Sequence, residues 1–197
     1  MAKVKAPCFG LAARGQLGKS LVYFPWKGID CLREYVIPTN PRAPLQKAQR
    51  NRLTAAVDEF HGAGYSAEDL SAWTRYASTL AQVMTGFNAM CRTHINEAIL
   101  GNVWERISAV VISNITAGGA KITIYKKSGG KTPSCIYGLS KTFMPHTALF
   151  VDATGNSWNC TLPLLTANTD YYFYVTCGAS KTDLGRTGIY KFRTLAA

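Results

Sequence analysis

The chain contains no run of about 18 apolar residues, the minimum for a membrane-spanning helix, so no membrane partner is expected. No apolar segment follows the opening Met1-Ala2-Lys3-Val4-Lys5. A secretory leader would need one, so synthesis in a cytoplasm without classical export is the expectation. Acidic residues are scarce, 11 against 22 lysines and arginines. They are also dispersed, which argues against a paired-carboxylate hydrolytic centre. The histidines, His61, His94 and His146, each stand alone. Cysteines at positions 8, 31, 91, 135, 160 and 177 include no Cys-x-x-Cys pair. Zinc is therefore not expected, and free buried thiols are. No Gly-x-Ser-x-Gly elbow occurs. Gly15-Gln-Leu-Gly18-Lys19-Ser20 has part of a phosphate-binding loop, but Ala13 stands where that motif needs glycine, and a β-prone run follows instead of a helix. The sequence thus predicts no catalytic residue, no metal and no cofactor.

What is present is a foldable and basic chain. Its 197 residues are 47% hydrophobic and 17% charged, ordinary for globular protein. The net charge of +11 is compatible with a polyanionic partner: nucleic acid, an anionic membrane or an acidic protein surface. Ten of the 22 basic residues precede position 61 and ten follow position 100, leaving a near-neutral middle.

Three regions separate by pattern. In the first, Leu21–Trp26 and Cys31–Ile37 are β-prone runs joined by Lys27-Gly28-Ile29-Asp30, which predicts a hairpin. Pro25 suits an edge or a bulge. Two strands are marginal in water, so the hairpin must lean on other elements or on a neighbouring subunit. Upstream, Cys8–Lys19 reads as an extended, glycine-rich arm. Pro38–Pro44, with three prolines in seven residues, reads as a stiff connector.

The second region is helical. Leu45, Ala48, Leu53, Ala56, Val57 and Phe60 recur at helical spacing, and His61-Gly-Ala-Gly64 stops that helix. Ser66 and Asp69 form a capping-box start for a helix carrying Leu70, Trp73, Tyr76, Ala77 and Leu80. A third helix is expected over about Thr85–Leu100. The third region holds seven short β-runs: Ser108–Ile115, Ala120–Lys126, Ser134–Tyr137, His146–Val151, Ser157–Leu162, Asp170–Cys177 and Gly188–Thr194. That density of strands predicts a β-sandwich. The fold class is therefore α+β. Residues 1–103 are expected to form an arm, hairpin and helical attachment region, and 104–197 an all-β sandwich.

Leu165-Thr-Ala-Asn-Thr169-Asp-Tyr171-Tyr-Phe-Tyr-Val175 resembles the E–F corner of fibronectin type III domains, members of the immunoglobulin-like sandwiches. Leu165, Thr169 and Tyr171 carry the likeness. It implies that the Tyr171 hydroxyl bonds back to the chain, with Tyr171, Phe173 and Val175 inward and Tyr172 and Tyr174 outward. Ile136-Tyr137-Gly138 and the closing Gly188–Thr194 are similar to the same family. Ala167 replaces its usual proline, and its second-strand tryptophan is absent.

The first hundred residues resemble a group of uncharacterised proteins of bacteria, tailed phages and prophages. Gly15, Gly18, Arg33, Tyr35, Asn40, Pro41, Arg42, Gln46, Gln49, Arg50 and Trp73 carry that likeness. It implies a virion setting, with other virion proteins or further copies of this chain as partners. Trp26, beside Pro25 at the hairpin end, is either an exposed contact or core. Arg42, Lys47, Arg50 and Arg52 cluster where the connector enters the first helix, as an acidic-partner clamp or an ordinary solvated face. The residues expected at an assembly interface are thus Trp26, Arg33, Tyr35, Arg42, Lys47, Arg50 and Arg52. Lys126, Lys127 and Lys131 read as a solvated basic tip. The expected role is a virion structural protein. Nucleic-acid binding, a carbohydrate- or cell-surface-binding module, and an enzyme with an accessory sandwich are the alternatives.

Overall fold

The computed structural model describes residues 2–3, 14–37, 42–126, 131–178 and 184–196. Much of the glycine-rich arm, Pro38 to Pro41 of the connector, and Lys127, Gly129 and Gly130 of the basic tip lie outside the described residues. The chain forms two compact units, Met1–Ala43 and Pro44–Ala197.

The first unit is an antiparallel sheet of β1 (Ala2–Lys3), β2 (Gly15–Leu17), β3 (Leu21–Trp26) and β4 (Ile29–Glu34), in the order β1-β4-β3-β2. The hairpin turn is tighter than the four residues expected. Trp26 pairs with Ile29, leaving Lys27 and Gly28 at φ 51° and 79°. Both residues thus have the positive φ that a two-residue hairpin turn demands. The arm contributes a strand where the sequence suggested only extended chain. Gly15–Leu17 pairs with Leu21–Tyr23, so Pro25 lies beyond the reach of β2 and loses no ladder bond on that side.

The second unit opens with α1 (Pro44–Gly62), α2 (Ala67–Ala77) and α3 (Gly86–Ile99). Pro44 begins α1 instead of ending the connector, because a first-turn N–H has no intrahelical partner to lose. Ser66 caps α2 as expected: its hydroxyl accepts from Asp69 N, and its own N–H donates to Asp69 Oδ2 at 2.8 Å. Thr85 caps α3.

The remaining strands are β5 (Ile107–Ser113), β6 (Ala120–Lys126), β7 (Pro133–Gly138), β8 (His146–Leu149), β9 (Val151–Thr154), β10 (Ser157–Leu162), β11 (Asp170–Cys177), β12 (Gly185–Arg186) and β13 (Tyr190–Arg193). One sheet runs β5-β6-β10-β9. The other runs β12-β11-β7-β8, with β13 also on β11. Their inner faces share one core, including Ile122, Ile124, Leu162, Phe173 and Val175. One predicted run is broken and one is shortened. The run His146–Val151 splits at buried Phe150: β8 pairs with β7, and β9 pairs with β10 in the facing sheet. The closing run Gly188–Thr194 is shorter than expected, β13 starting only at Tyr190, because at Gly188 the chain meets α2 and Ile189 N–H donates to Ala72 O at 2.9 Å.

Contacts of this kind cross the expected division at 103/104. Helix α2 lies against both β13 and β5 and inserts Ala72 into the sandwich core. A Cβ on Gly188 would stand 2.3 Å from Ala72 C and Trp73 N, so only glycine permits this approach. Tyr190 donates its hydroxyl to Asp69 Oδ1 at 2.5 Å. Arg106 grips the end of α1, donating to both carboxylate oxygens of Glu59 at 2.7 and 2.6 Å and to Gly62 O at 2.9 Å. Residues 103–105 run beside Leu184, which donates to Val103 O and accepts from Glu105 N. The helices belong with the sandwich because three short helices alone bury too little.

Candidate interaction surfaces

The predicted interface residues divide between the two units. In the sheet, register puts Val22, Phe24, Trp26, Ile29, Cys31 and Arg33 on one face. Trp26 and Ile29 form a cross-strand pair at the hairpin end, 56% and 43% exposed. The Arg33 guanidinium lies over the Phe24 ring at 5.3 Å. Cys31 is buried, alone among the described side chains of this unit. Trp26 and Arg33 therefore share a surface, and the exposed alternative holds for Trp26. Tyr35 sits past the end of β4, half-buried, its N–H donating to Ser20 O at 2.8 Å.

Arg42, at the end of the first unit, is exposed; in the second unit, Lys47 and Arg50 are exposed one turn apart on α1. Arg52 is half-buried and donates to Gln49 Oε1 at 3.4 Å. The apolar stripe of α1 is only partly used. Ala56 is buried, with Val57 and Phe60 packed on the helical core, while Leu45 is 85% exposed and Leu53 half exposed. The first three turns of α1, Pro44 to Ala55, bury no side chain.

The residues expected to define the sandwich are where the sequence predicts them. Tyr171 accepts a hydrogen bond from Thr166 N at 2.9 Å, closing the corner. Leu165 is buried, its N–H on Gly118 O. The Thr169 hydroxyl donates to Ala167 O at 2.9 Å. Burial alternates along β11, with Tyr171, Phe173 and Val175 inward. Cys31, Cys91, Cys135 and Cys160 are free and buried, and Cys177 is buried.

The basic tip is a correction. Lys126 is fully buried, its Nζ 3.7 Å from Glu105 Oε1 and over the Trp158 ring at 5.6 Å. Its place on the inward-facing register of β6, not its charge, decides its position. Lys131 is exposed as expected.

One arrangement escaped sequence reasoning. The Arg186 guanidinium is stacked between two tyrosine rings, 4.2 Å from the Tyr76 centroid on α2 and 4.3 Å from that of Tyr174 on β11. No local pattern joins residues 76, 174 and 186; the docking of α2 does.

No family model and no curated protein matches the chain. Solved structures resemble it over about half its length. The sensor domain of the anti-sigma factor RsgI4 from Pseudobacteroides cellulosolvens is 24% identical, with 47% of this chain and 91% of that one covered and a TM-score of 0.36. A fibronectin type III domain of human contactin 1 is 13% identical over 46% and 77%, with a TM-score of 0.35. One of human collagen XX is 14% identical over 45% and 90%, with a TM-score of 0.34. The chain is a mixed helix-and-sheet protein whose β-sandwich half has fibronectin type III domains among its structural neighbours.

Proposed function

We propose that the chain is a structural or assembly protein of a tailed-phage virion, a capsid decoration or tail-associated surface protein, made in the host cytoplasm and working through protein–protein contacts. One observation carries the reading. The N-terminal unit buries only Cys31 among its described side chains while exposing Leu17, Trp26 and Ile29 in the sheet and Val36 and Ile37 just after it. A sheet so poorly covered gains stability by docking on a neighbour, with Trp26 as an aromatic anchor and Arg33 beside it. The bare turns of α1, with Lys47 and Arg50, offer a second contact of opposite charge to an acidic subunit. The likeness of residues 15–73 to a phage and prophage group supplies the setting.

The test is co-sedimentation. Alone, the protein is expected to be monomeric or weakly associated, and it should pellet with assembled particles from its source cells. Trp26→Ala combined with Arg33→Ala should remove it from the pellet. Failure of the unaltered chain ever to accompany particles or filaments would end this reading.

The exposed Lys47 and Arg50 also support a nucleic-acid reading. That alternative expects duplex binding that falls at least about tenfold between low and moderate salt. A salt-independent response removes it.

A further inference from the structure

A cleft of about 360 Å³ opens between α2, α3 and the β11–β12 edge of the sandwich. Its charged lining is Arg186, Arg92 and Glu97. Both faces of the Arg186 guanidinium are occupied by Tyr76 and Tyr174, so its rotamer is set and its edge is left to bond. Among the described residues its buried Nε has no acceptor. Trp104 lines the same cleft, and its buried indole Nε1–H likewise has no acceptor among them. Among the described residues, neither Arg186 nor Arg92 enters an ion pair. Glu97 pairs with neither of them among the described residues, and its Oε2 accepts from Asn102 Nδ2 at 2.5 Å. The lining thus has two arginines and two unsatisfied N–H groups, and its one carboxylate forms no ion pair with either arginine.

A buried donor left unbonded is destabilising, so two in one cleft favour a ligand rich in acceptors. The planar fork of arginine matches a carboxylate in two parallel hydrogen bonds. We propose that this cleft is a carboxylate-binding site, with Arg186 as the fixed fork, Arg92 as the second cation and the Trp104 indole N–H as a neutral donor. The carboxylate belongs either to a small organic acid or to an acidic side chain of a bound protein. The stacked tyrosines recognise no ligand; they hold the fork. The cleft lies in the sandwich-and-helix unit, so it is independent of the attachment role given to the N-terminal sheet.

The experiment is a titration of the full chain followed through its tryptophan indole N–H resonances, with the Trp104 signal assigned by Trp104→Phe. The probes are citrate, a short glutamate-rich peptide, and inorganic phosphate. Saturable movement of the Trp104 signal by citrate identifies a free acid as ligand; movement by the peptide alone identifies a protein partner. Arg92→Gln, at an exposed position, should weaken that binding about tenfold without altering the fold. Arg186→Lys keeps the charge but loses the fork, and should weaken it further. No movement with either carboxylate probe overturns the proposal. So does equal binding of phosphate, or binding that Arg92→Gln and Arg186→Lys leave unchanged.

Discussion

The two compact units handle apolar surface in opposite ways. In the sandwich and its helices, inward strand positions are filled and closed off, down to Phe173 at 0% exposure. In the N-terminal sheet, Trp26 and Ile29 pair across two strands and remain open. Sheets of similar strand length therefore differ in whether a second layer exists. The facing sheet and α2 supply that layer in one unit; in the other, the described residues supply none. The difference teaches where a partner is needed. A self-sufficient core carries stability, whereas an uncovered face carries association.

Substitutions can break or sharpen that contrast. The largest effect belongs to the core. Phe173→Ala should destabilise the chain by about 3–5 kcal/mol in denaturant unfolding, because the emptied volume is enclosed on all sides. A loss below about 1 kcal/mol would mean that the two sheets do not share the core described.

The junction of α2 with β13 comes next. Asp69→Ala removes the acceptor of the buried Tyr190 hydroxyl together with the α2 cap, and should cost about 2–4 kcal/mol. The same junction sets a pH dependence. Burial, then the charge of Asp69, raises the Tyr190 pKa well above its ordinary value of 10.0. The folded chain keeps that proton where the unfolded chain releases it. Stability is therefore fully present below pH 10 and falls above it, by up to about 1.4 kcal/mol per pH unit for this group. Tyr65, raised mainly by burial and then by Glu59, acts in the same sense. Tyr190→Phe should thus lessen the alkaline slope measured by thermal unfolding, not abolish it. An unchanged slope would place Tyr190 outside the junction.

The smallest effect on stability is expected in the sheet. Trp26→Ala should change unfolding free energy by less than about 0.5 kcal/mol, the ordinary result at an exposed site, while reducing particle association. A loss near that of Phe173→Ala would show that Trp26 is covered within the chain, and the contrast between the units would fail.

Local chemistry explains why some features were legible beforehand. Ser66 and Asp69 announced a helix start because a capping box spans only four residues. Tyr171 announced its corner because the bond closes over five residues, to Thr166. Lys27-Gly28 announced a turn, though not its length, which the Trp26–Ile29 pairing fixed. Lys126 was misread because charge suggested solvent, whereas strand register carried it inward beside Glu105. The late start of β13, at Tyr190, was hidden as well, since its cause is a helix more than a hundred residues earlier.

By itself, then, the sequence determined the helices, most strands, the Tyr171 corner and the basic character of the chain, because each rests on interactions between near neighbours or on composition. Only the tertiary structure decided that α2 belongs to the sandwich, that Trp26 is open while Lys126 is closed in, and that Tyr76 and Tyr174 clasp Arg186. Those outcomes depend on which surfaces meet after the chain has folded, and residues far apart in sequence carry no local trace of it.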